Sequence, residues 1–317
     1  MNTSSFYSNG KLLITGEYLI LDGALSLATP TIYGQSLTVR PLSEKQLVWK
    51  SLDEKGKIWF EEIYTIQSLA EGPISNILTS DKESIPSSEK DSVSNTLRFI
   101  LSEAKKLNPG FLGEDHGHEV TTSLNFPRDW GLGSSSTLIN NIAQWAKIDA
   151  YALLWNSFPG SGYDIACAQY NSPITYRLKE ARPIVNIASF YPPFKNELYF
   201  IHLNRKQDSR DGIAHYKGKE LNIHTIISQI NSITQRILTS TKLPQFEKLI
   251  NKHEAIISDI LEMPTIKQRL FPDYKGAIKS LGAWGGDFIL ATGNKDCPQY
   301  FKDKGFTTVI PYSRMVR

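Results

Sequence analysis

Three short stretches of the sequence set glycine beside hydroxyl or acidic side chains. Residues 131–138, Gly-Leu-Gly-Ser-Ser-Ser-Thr-Leu, place two glycines and four hydroxyls directly before a run with helical spacing. Gly131 and Gly133 admit positive φ and let a ligand approach the main chain closely. The helix start that follows offers unpaired N–H groups and roughly half a unit of positive charge, which makes an anion site commonly filled by phosphate. Ser134, Ser135 and Ser136 add hydroxyls that bond phosphate oxygens or ligate Mg2+, a cation that prefers oxygen. No Gly-Lys-Ser/Thr follows, so this is not a Walker A loop, and the third glycine of a dinucleotide fingerprint is missing. A linker ending in a serine cap accounts for the same residues, and this stretch alone leaves both readings open.

The second stretch, PGSGYDIA at 159–166, sets Gly160 and Gly162 around a lone acid, Asp164, ahead of an apolar helical run. Such an aspartate caps a helix, or it orients or deprotonates a substrate hydroxyl. The third, LGAWGGDFILAT at 281–292, puts Gly282, Gly285 and Gly286 immediately before a strand, where a tight turn is an equal explanation. His116 and His118 read as a solvated turn, since no third metal ligand is in reach. In NRKQDSRDG, Lys206, Gln207, Ser209 and Arg210 form a charged loop that is solvated or receives an anionic substrate.

These loops need strands and helices to hold them. KLLITGEYLIL (11–21) reads as a strand interrupted at Gly16-Glu17, and SLTVRPL (36–42) and KIWFEEIY (57–64) as further strands. Residues 68–92 are polar and breaker-rich and read as a surface loop, with Ser92 capping a helix through Val93, Leu97, Ile100 and Leu101. HEVTTSLNF (118–126) reads as a strand, and Leu138, Ile142, Trp145 and Ala146 as one helix face. ITYRL (174–178) closes a first domain. LYFIHL (198–203), two helices near 220–240 and 245–262, then FILATG (288–293) and FTTVIPY (306–312) predict an α+β second domain with helices on one face of an antiparallel sheet.

Composition bounds the rest. At about 150 residues per domain the 317 residues suggest two domains. Hydrophobic residues make up 40% and charged residues 21%, as in an ordinary globular protein. The net charge is +3, from 35 basic and 32 acidic residues with no basic block, which argues against nucleic acid as a partner. No apolar run approaches the ~18 residues of a membrane span, and MNTSSFYSNGKLL lacks the pattern of a signal peptide. Cys167 and Cys297 are far apart and form no ligand pair, so the expectation is a cytoplasmic protein with reduced thiols. The sequence carries no signature of oligomeric state.

Taken together and in order, the stretches 9–30, 126–143 and 279–292, with GSGYDIA between the last two, resemble the signature motifs of the GHMP kinases. That superfamily is named for galacto-, homoserine, mevalonate and phosphomevalonate kinases. The resemblance spans nearly the whole chain. It implies a two-domain α+β fold: an N-terminal mixed α/β nucleotide-binding domain over 1–183 and a C-terminal ferredoxin-like α+β domain over 184–317. It implies ATP wrapped by Gly131, Leu132, Gly133, Ser134, Ser135 and Ser136, with Mg2+ on Ser135. Asp164 takes the place of the catalytic aspartate and Lys11 that of the motif-one lysine beside it. Glu17, Tyr18, Gly162, Ser209, Gly285 and Gly286 fall at substrate positions.

Gly-Glu-Tyr followed by LILDGA resembles phosphomevalonate kinase more than mevalonate kinase, which typically has a histidine after Gly-Glu. The implied acceptor is a small alcohol or phosphorylated molecule, mevalonate 5-phosphate or mevalonate first, with a sugar, homoserine or a non-catalytic ligand-binding role as alternatives. The chain departs from the pattern at Asn9, where motif one has a proline, and at Trp284, inside a run of small residues. AYALLWNSFPGSG (150–162) contains no acid to match the Mg2+-ligating glutamate of mevalonate kinases. Metal binding is then expected to rest on Ser135, nucleotide oxygens and water, or on an acid such as Asp149.

Overall fold

The computed structural model describes residues 2–70, 89–113, 116–205, 216, 223–282, 284 and 286–317. They gather into two units that interleave along the chain. The first comprises Met1–Ser8, Gly34–Pro127 and Ser134–Ala168; the second comprises Asn9–Tyr33, Arg128–Gly133 and Gln169–Arg317. The chain passes from one unit to the other inside two long strands, β1 (Ser4–Thr15) and β2 (Ser26–Leu42), which pair with each other.

In the first unit the later part of β2 pairs antiparallel with β5 (Gly117–Leu124), Gln35 facing Leu124 and Leu42 facing Gly117. Strand β3 (Gln46–Leu52) runs parallel to β5, and β4 (Ile58–Thr65) runs antiparallel to β3. Along β3 the side chains of Leu47, Trp49 and Ser51 are buried in strict alternation, as a half-buried strand requires. The short helix α1 (Ile66–Ala70) follows β4, and α2 (Glu89–Leu107), α3 (Ser134–Ala146), α4 (Ala150–Ser157) and α5 (Tyr163–Gln169) complete the unit. One core joins the sheet residues Leu37, Trp49 and Val120 to Leu97, Leu101, Ile139, Ile142, Leu153 and Ile165 of the helices. Helix α2 begins at Glu89, so Ser92 lies inside it rather than capping it, and the start of the expected 68–92 loop is helical in α1. Residues 71–88 of that loop lie outside the described residues.

In the second unit the early part of β2 pairs with β6 (Ile174–Lys179), and β6 forms a hairpin with β7 (Arg182–Ile187). That hairpin runs through residues 183–184, the sequence-based domain limit. A separate antiparallel sheet has the order β11-β8-β10-β9, with β8 (Leu198–His202), β9 (Ile278–Ser280), β10 (Phe288–Thr292) and β11 (Val309–Pro311). Helices α6 (Ile223–Leu238), α7 (Leu243–Leu261) and α8 (Ile266–Leu270) come between β8 and β9, and α9 (Cys297–Asp303) between β10 and β11. Ranked by their own chain order the four strands lie 4-1-3-2, all antiparallel, which is the ferredoxin-like arrangement. Every residue of β10 is buried, so this strand is covered on both faces. Helix α7 buries Phe246, Leu249, Ile250, Ile257 and Ile260 at helical spacing, and the same stripe carries His253 and Glu254. No helix among the described residues is long and apolar enough to cross a membrane.

Candidate functional site

Lys11 stands on β1 and fixes the glycine loop from two directions. Its backbone N–H donates to Leu132 O at 2.9 Å and its Nζ donates to Gly131 O at 2.8 Å. Gly131 has φ +63°, and a Cβ there would meet the Asp287 carboxylate at 2.1 Å, so no other residue fits without displacing that acid. Gly133 follows at φ +89°. Trp130, one residue before the loop, packs edge-on against Phe288 and Tyr33, with ring centroids 5.5 and 5.2 Å away. Lys11, Trp130, Gly131, Gly282, Asp287 and Phe288 together line a recess of about 10 Å³, near the lower limit for a single water. Asp287 thus brings a carboxylate to the recess lined by the Lys11 cation.

In the first unit, Ser134, Ser135 and Ser136 form the first turn of α3. Ser135 is exposed and Ser136 buried. Thr137 Oγ1 donates to Gln35 Oε1 at 2.8 Å, Asn141 Nδ2 to Gln35 O at 2.9 Å and Asn140 Nδ2 to Ser8 Oγ at 2.8 Å, so buried polar bonds pin the helix start to the strands. Asp164 lies in the first turn of α5, after Gly162 at φ +85°, and its Oδ1 accepts from the Ile165 N–H at 3.1 Å. Ile165 is part of the same core as Ile139 and Ile142 of α3. Asp149, the alternative acid for a metal, is the N-cap of α4 and accepts from the Tyr151 N–H at 3.0 Å.

Glu17 is buried. Its Oε1 is bonded by Lys279 Nζ, and its Oε2 lies 3.4 Å from His253 Nε2. Lys279 also donates to Glu254 at 3.1 Å and to the carbonyl of Ser280. Burial pushes the Glu17 carboxyl up to about 7, against the pull of Lys279. Burial drives His253 well below its ordinary value, and its Nε2 accepts from the Gly16 N–H at 3.0 Å, as a neutral ring can. Lys279 is raised, its burial outweighed by the two carboxylates beside it. Tyr18 is buried at φ +62°, with its hydroxyl raised by burial and by Glu17. Its ring lies 5.8 Å from that of Tyr216, which donates to Asp22 Oδ2 at 2.5 Å.

Gly286 is buried next to Asp287. Gly285 and Ser209, like Lys206, Gln207 and Arg210, lie outside the described residues. His118 stacks edge-on against Trp145 at 5.4 Å and is pushed down by burial. No group of three or more His, Cys, Asp or Glu side chains is gathered as metal ligands among the described residues. Sequence reasoning missed Lys279, His253, Glu254 and Asp287. The signal was present: two polar residues in the apolar stripe of α7 and a lysine inside a short strand are each costly to bury without partners.

No protein-family model matches the sequence, and no curated protein matches it. Solved structures match over nearly the full length. A crystal structure of mevalonate kinase aligns at TM-score 0.68 with 14% identity, covering 96% of each chain. Streptococcus pneumoniae phosphomevalonate kinase, in complex with phosphomevalonate and AMPPNP, aligns at TM-score 0.66 with 14% identity over 95% of each chain. Lactococcus lactis galactokinase complexed with galactose aligns at TM-score 0.64 with 12% identity, covering 96% of this chain and 88% of that one. All three are GHMP kinases, and the α+β architecture implied by the ordered motifs is the one observed. The chain has the GHMP kinase fold.

Proposed function

We propose that the protein is an ATP-dependent kinase acting on a small molecule, with mevalonate 5-phosphate or mevalonate as the leading acceptors. The observation that carries this reading is Lys11, whose ammonium is tied to the main chain of a glycine loop that runs directly into the first turn of α3. The positive-φ glycines and the hydroxyls of that turn suit phosphate oxygens, and the exposed Ser135 hydroxyl suits a hard cation. Bound ATP would supply the phosphoryl group, with Mg2+ offsetting its charge.

The chain's own groups do the positioning. The α3 N–H groups and Ser134, Ser135 and Ser136 hold phosphate oxygens. Lys11 stabilises negative charge on the transferred group and on the acceptor oxygen. Asp164 orients the acceptor and takes its proton when the acceptor is an alcohol. The match to a galactokinase as well as to mevalonate-pathway enzymes leaves the fold compatible with several acceptors, since substrate is set by the site and not by the fold.

The test is ADP release by purified protein with Mg-ATP and mevalonate, mevalonate 5-phosphate, homoserine, galactose or no acceptor. Turnover on one mevalonate species supports the reading and selects the substrate. Turnover on homoserine or galactose keeps the kinase and replaces the acceptor. Nucleotide binding without turnover on any acceptor favours a ligand-binding role.

A further inference from the structure

Glu254 belongs to none of the motifs, yet both of its carboxylate oxygens are engaged by the third one. Oε1 accepts from Lys279 Nζ at 3.1 Å and from Trp284 Nε1 at 3.3 Å, and Oε2 accepts from Ser280 Oγ at 2.8 Å. The carboxylate is 3% exposed, so these bonds replace its water completely. Its three donors all lie within residues 279–284, the approach to and the first part of the glycine loop.

The backbone of that loop is strained at a place where glycine is not used. Gly282 has φ +69°, and Trp284 has φ +46°. The left-handed region is unfavourable for an L-residue, and a bulky aromatic is a poor choice for it. The Trp284 side chain is 2% exposed, so burial of the indole and its N–H bond to Glu254 offset the strain. Beyond Trp284 the chain reaches Asp287, whose carboxylate lies against the α-carbon of Gly131 in the recess shared with Lys11.

We propose that Glu254 is a positioning residue: it holds Trp284 in its left-handed conformation and so sets where Asp287 meets Gly131. What the loop does for turnover rests on the kinase reading; the anchoring of Trp284 does not. Glu254→Gln keeps the volume and leaves Lys279 paired with Glu17, but its neutral amide oxygen accepts from Trp284 Nε1 more weakly than the carboxylate does, so the anchor loosens.

The experiment isolates the fluorescence of Trp284 as the difference between a protein and its Trp284→Phe counterpart, and measures quenching of that difference by acrylamide. The wild-type difference signal is expected to resist quenching. In the Glu254→Gln background its quenching constant is expected to rise about threefold or more, with far-UV circular dichroism unchanged. Acceptor KM is expected to rise about tenfold in Glu254→Gln while kcat stays within about twofold. An unchanged quenching constant overturns the anchoring; increased quenching with unchanged KM overturns the positioning role. If wild-type protein turns over no acceptor, the quenching result still decides the anchoring, and only the kinase reading falls. Should Glu254→Gln not fold, Ser280→Ala removes one bond to Oε2 and is expected to raise the same constant about twofold; no rise overturns the proposal.

Discussion

Lys279, in the stretch 279–292, donates to Glu17, in the stretch 9–30, and both side chains are buried. The pair joins residues 262 positions apart in sequence and leaves the second carboxylate, Glu254, on the other side of the same ammonium. Two carboxylates about one lysine, with a neutral histidine alongside, form a cluster that an added proton relieves.

That proton sets a pH dependence. Glu17 is raised from 4.5 to about 7 in the fold, so between these values the folded chain holds a proton that the unfolded chain has lost. Its contribution to stability is complete below 4.5 and is lost as pH rises through about 7. His253 acts in the opposite sense. The unfolded ring takes a proton near 6.5 and the folded ring does not, so its contribution is present above 6.5 and falls as the medium is acidified. Glu17→Gln removes the first slope and leaves the second. The stability difference between wild type and Glu17→Gln should change across pH 4.5–7 by up to about 1.4 kcal/mol per pH unit. Denaturant unfolding at half-unit steps reads it, and parallel wild-type and variant curves would refute the assignment.

Removing the cation is a harsher change than removing one anion. Lys279→Met leaves two buried carboxylates without their common partner and should cost about 3–5 kcal/mol, the range for breaking a buried ion pair. Adding Glu17→Gln to Lys279→Met should recover part of the loss, so the double variant should be more stable than the sum of the single changes predicts. Strict additivity in the double-mutant cycle would show that the two residues do not act on each other.

Gly131 offers a test of the loop. Alanine there meets the Asp287 carboxylate and is held at positive φ. Gly131→Ala should weaken AMPPNP binding about tenfold or more by calorimetry, with a stability loss of about 1–2 kcal/mol from the strained backbone. Undiminished affinity would remove this loop from the nucleotide site.

Asp164 accepts a bond from its neighbour's N–H through Oδ1, and an asparagine oxygen accepts it equally. Asp164→Asn should therefore keep the melting temperature and nucleotide affinity while kcat falls by about 10²–10⁴, the usual weight of general acid–base help. Turnover near the wild-type rate would exclude Asp164 from the chemistry.

The readable part of this fold was the part written in local sequence. β-Branched and aromatic residues marked β4, apolar spacing marked α3, α6 and α7, and Gly131 and Gly133 adopt the positive φ that their loop suggested. Strand β3 escaped because Lys50 and Ser51 interrupt its apolar side chains, although Ser51 is buried and bonded by Trp49 Nε1 and Thr122 Oγ1. Glu254 and Lys279 escaped for a different reason. A buried charge is recognised by its partner, and the partners here are distant in the sequence. The interleaving of the units was equally hidden, since β1 and β2 cross from one to the other inside continuous strands, and the single glycines Gly10 and Gly34 beside the crossings do not read as linkers.

That interleaving has a consequence for the order in which the chain acquires structure. Residues 9–33 belong to a unit whose remaining strands come from 169–317, and residues 315–317 close back on them. Ile32 N–H donates to Met315 O at 3.0 Å, Arg317 N–H to Pro30 O at 3.1 Å and Arg317 Nη1 to Asn9 Oδ1 at 3.0 Å. During synthesis the stretch 9–30 therefore leaves the ribosome long before these neighbours exist. Its hydrophobic stretches Leu12–Ile14 and Leu27–Ala28 must wait, exposed, for partners such as β6 that are made later. Such long-range closure slows folding and lengthens exposure to aggregation, so slower translation and added chaperones are expected to raise the yield of native protein.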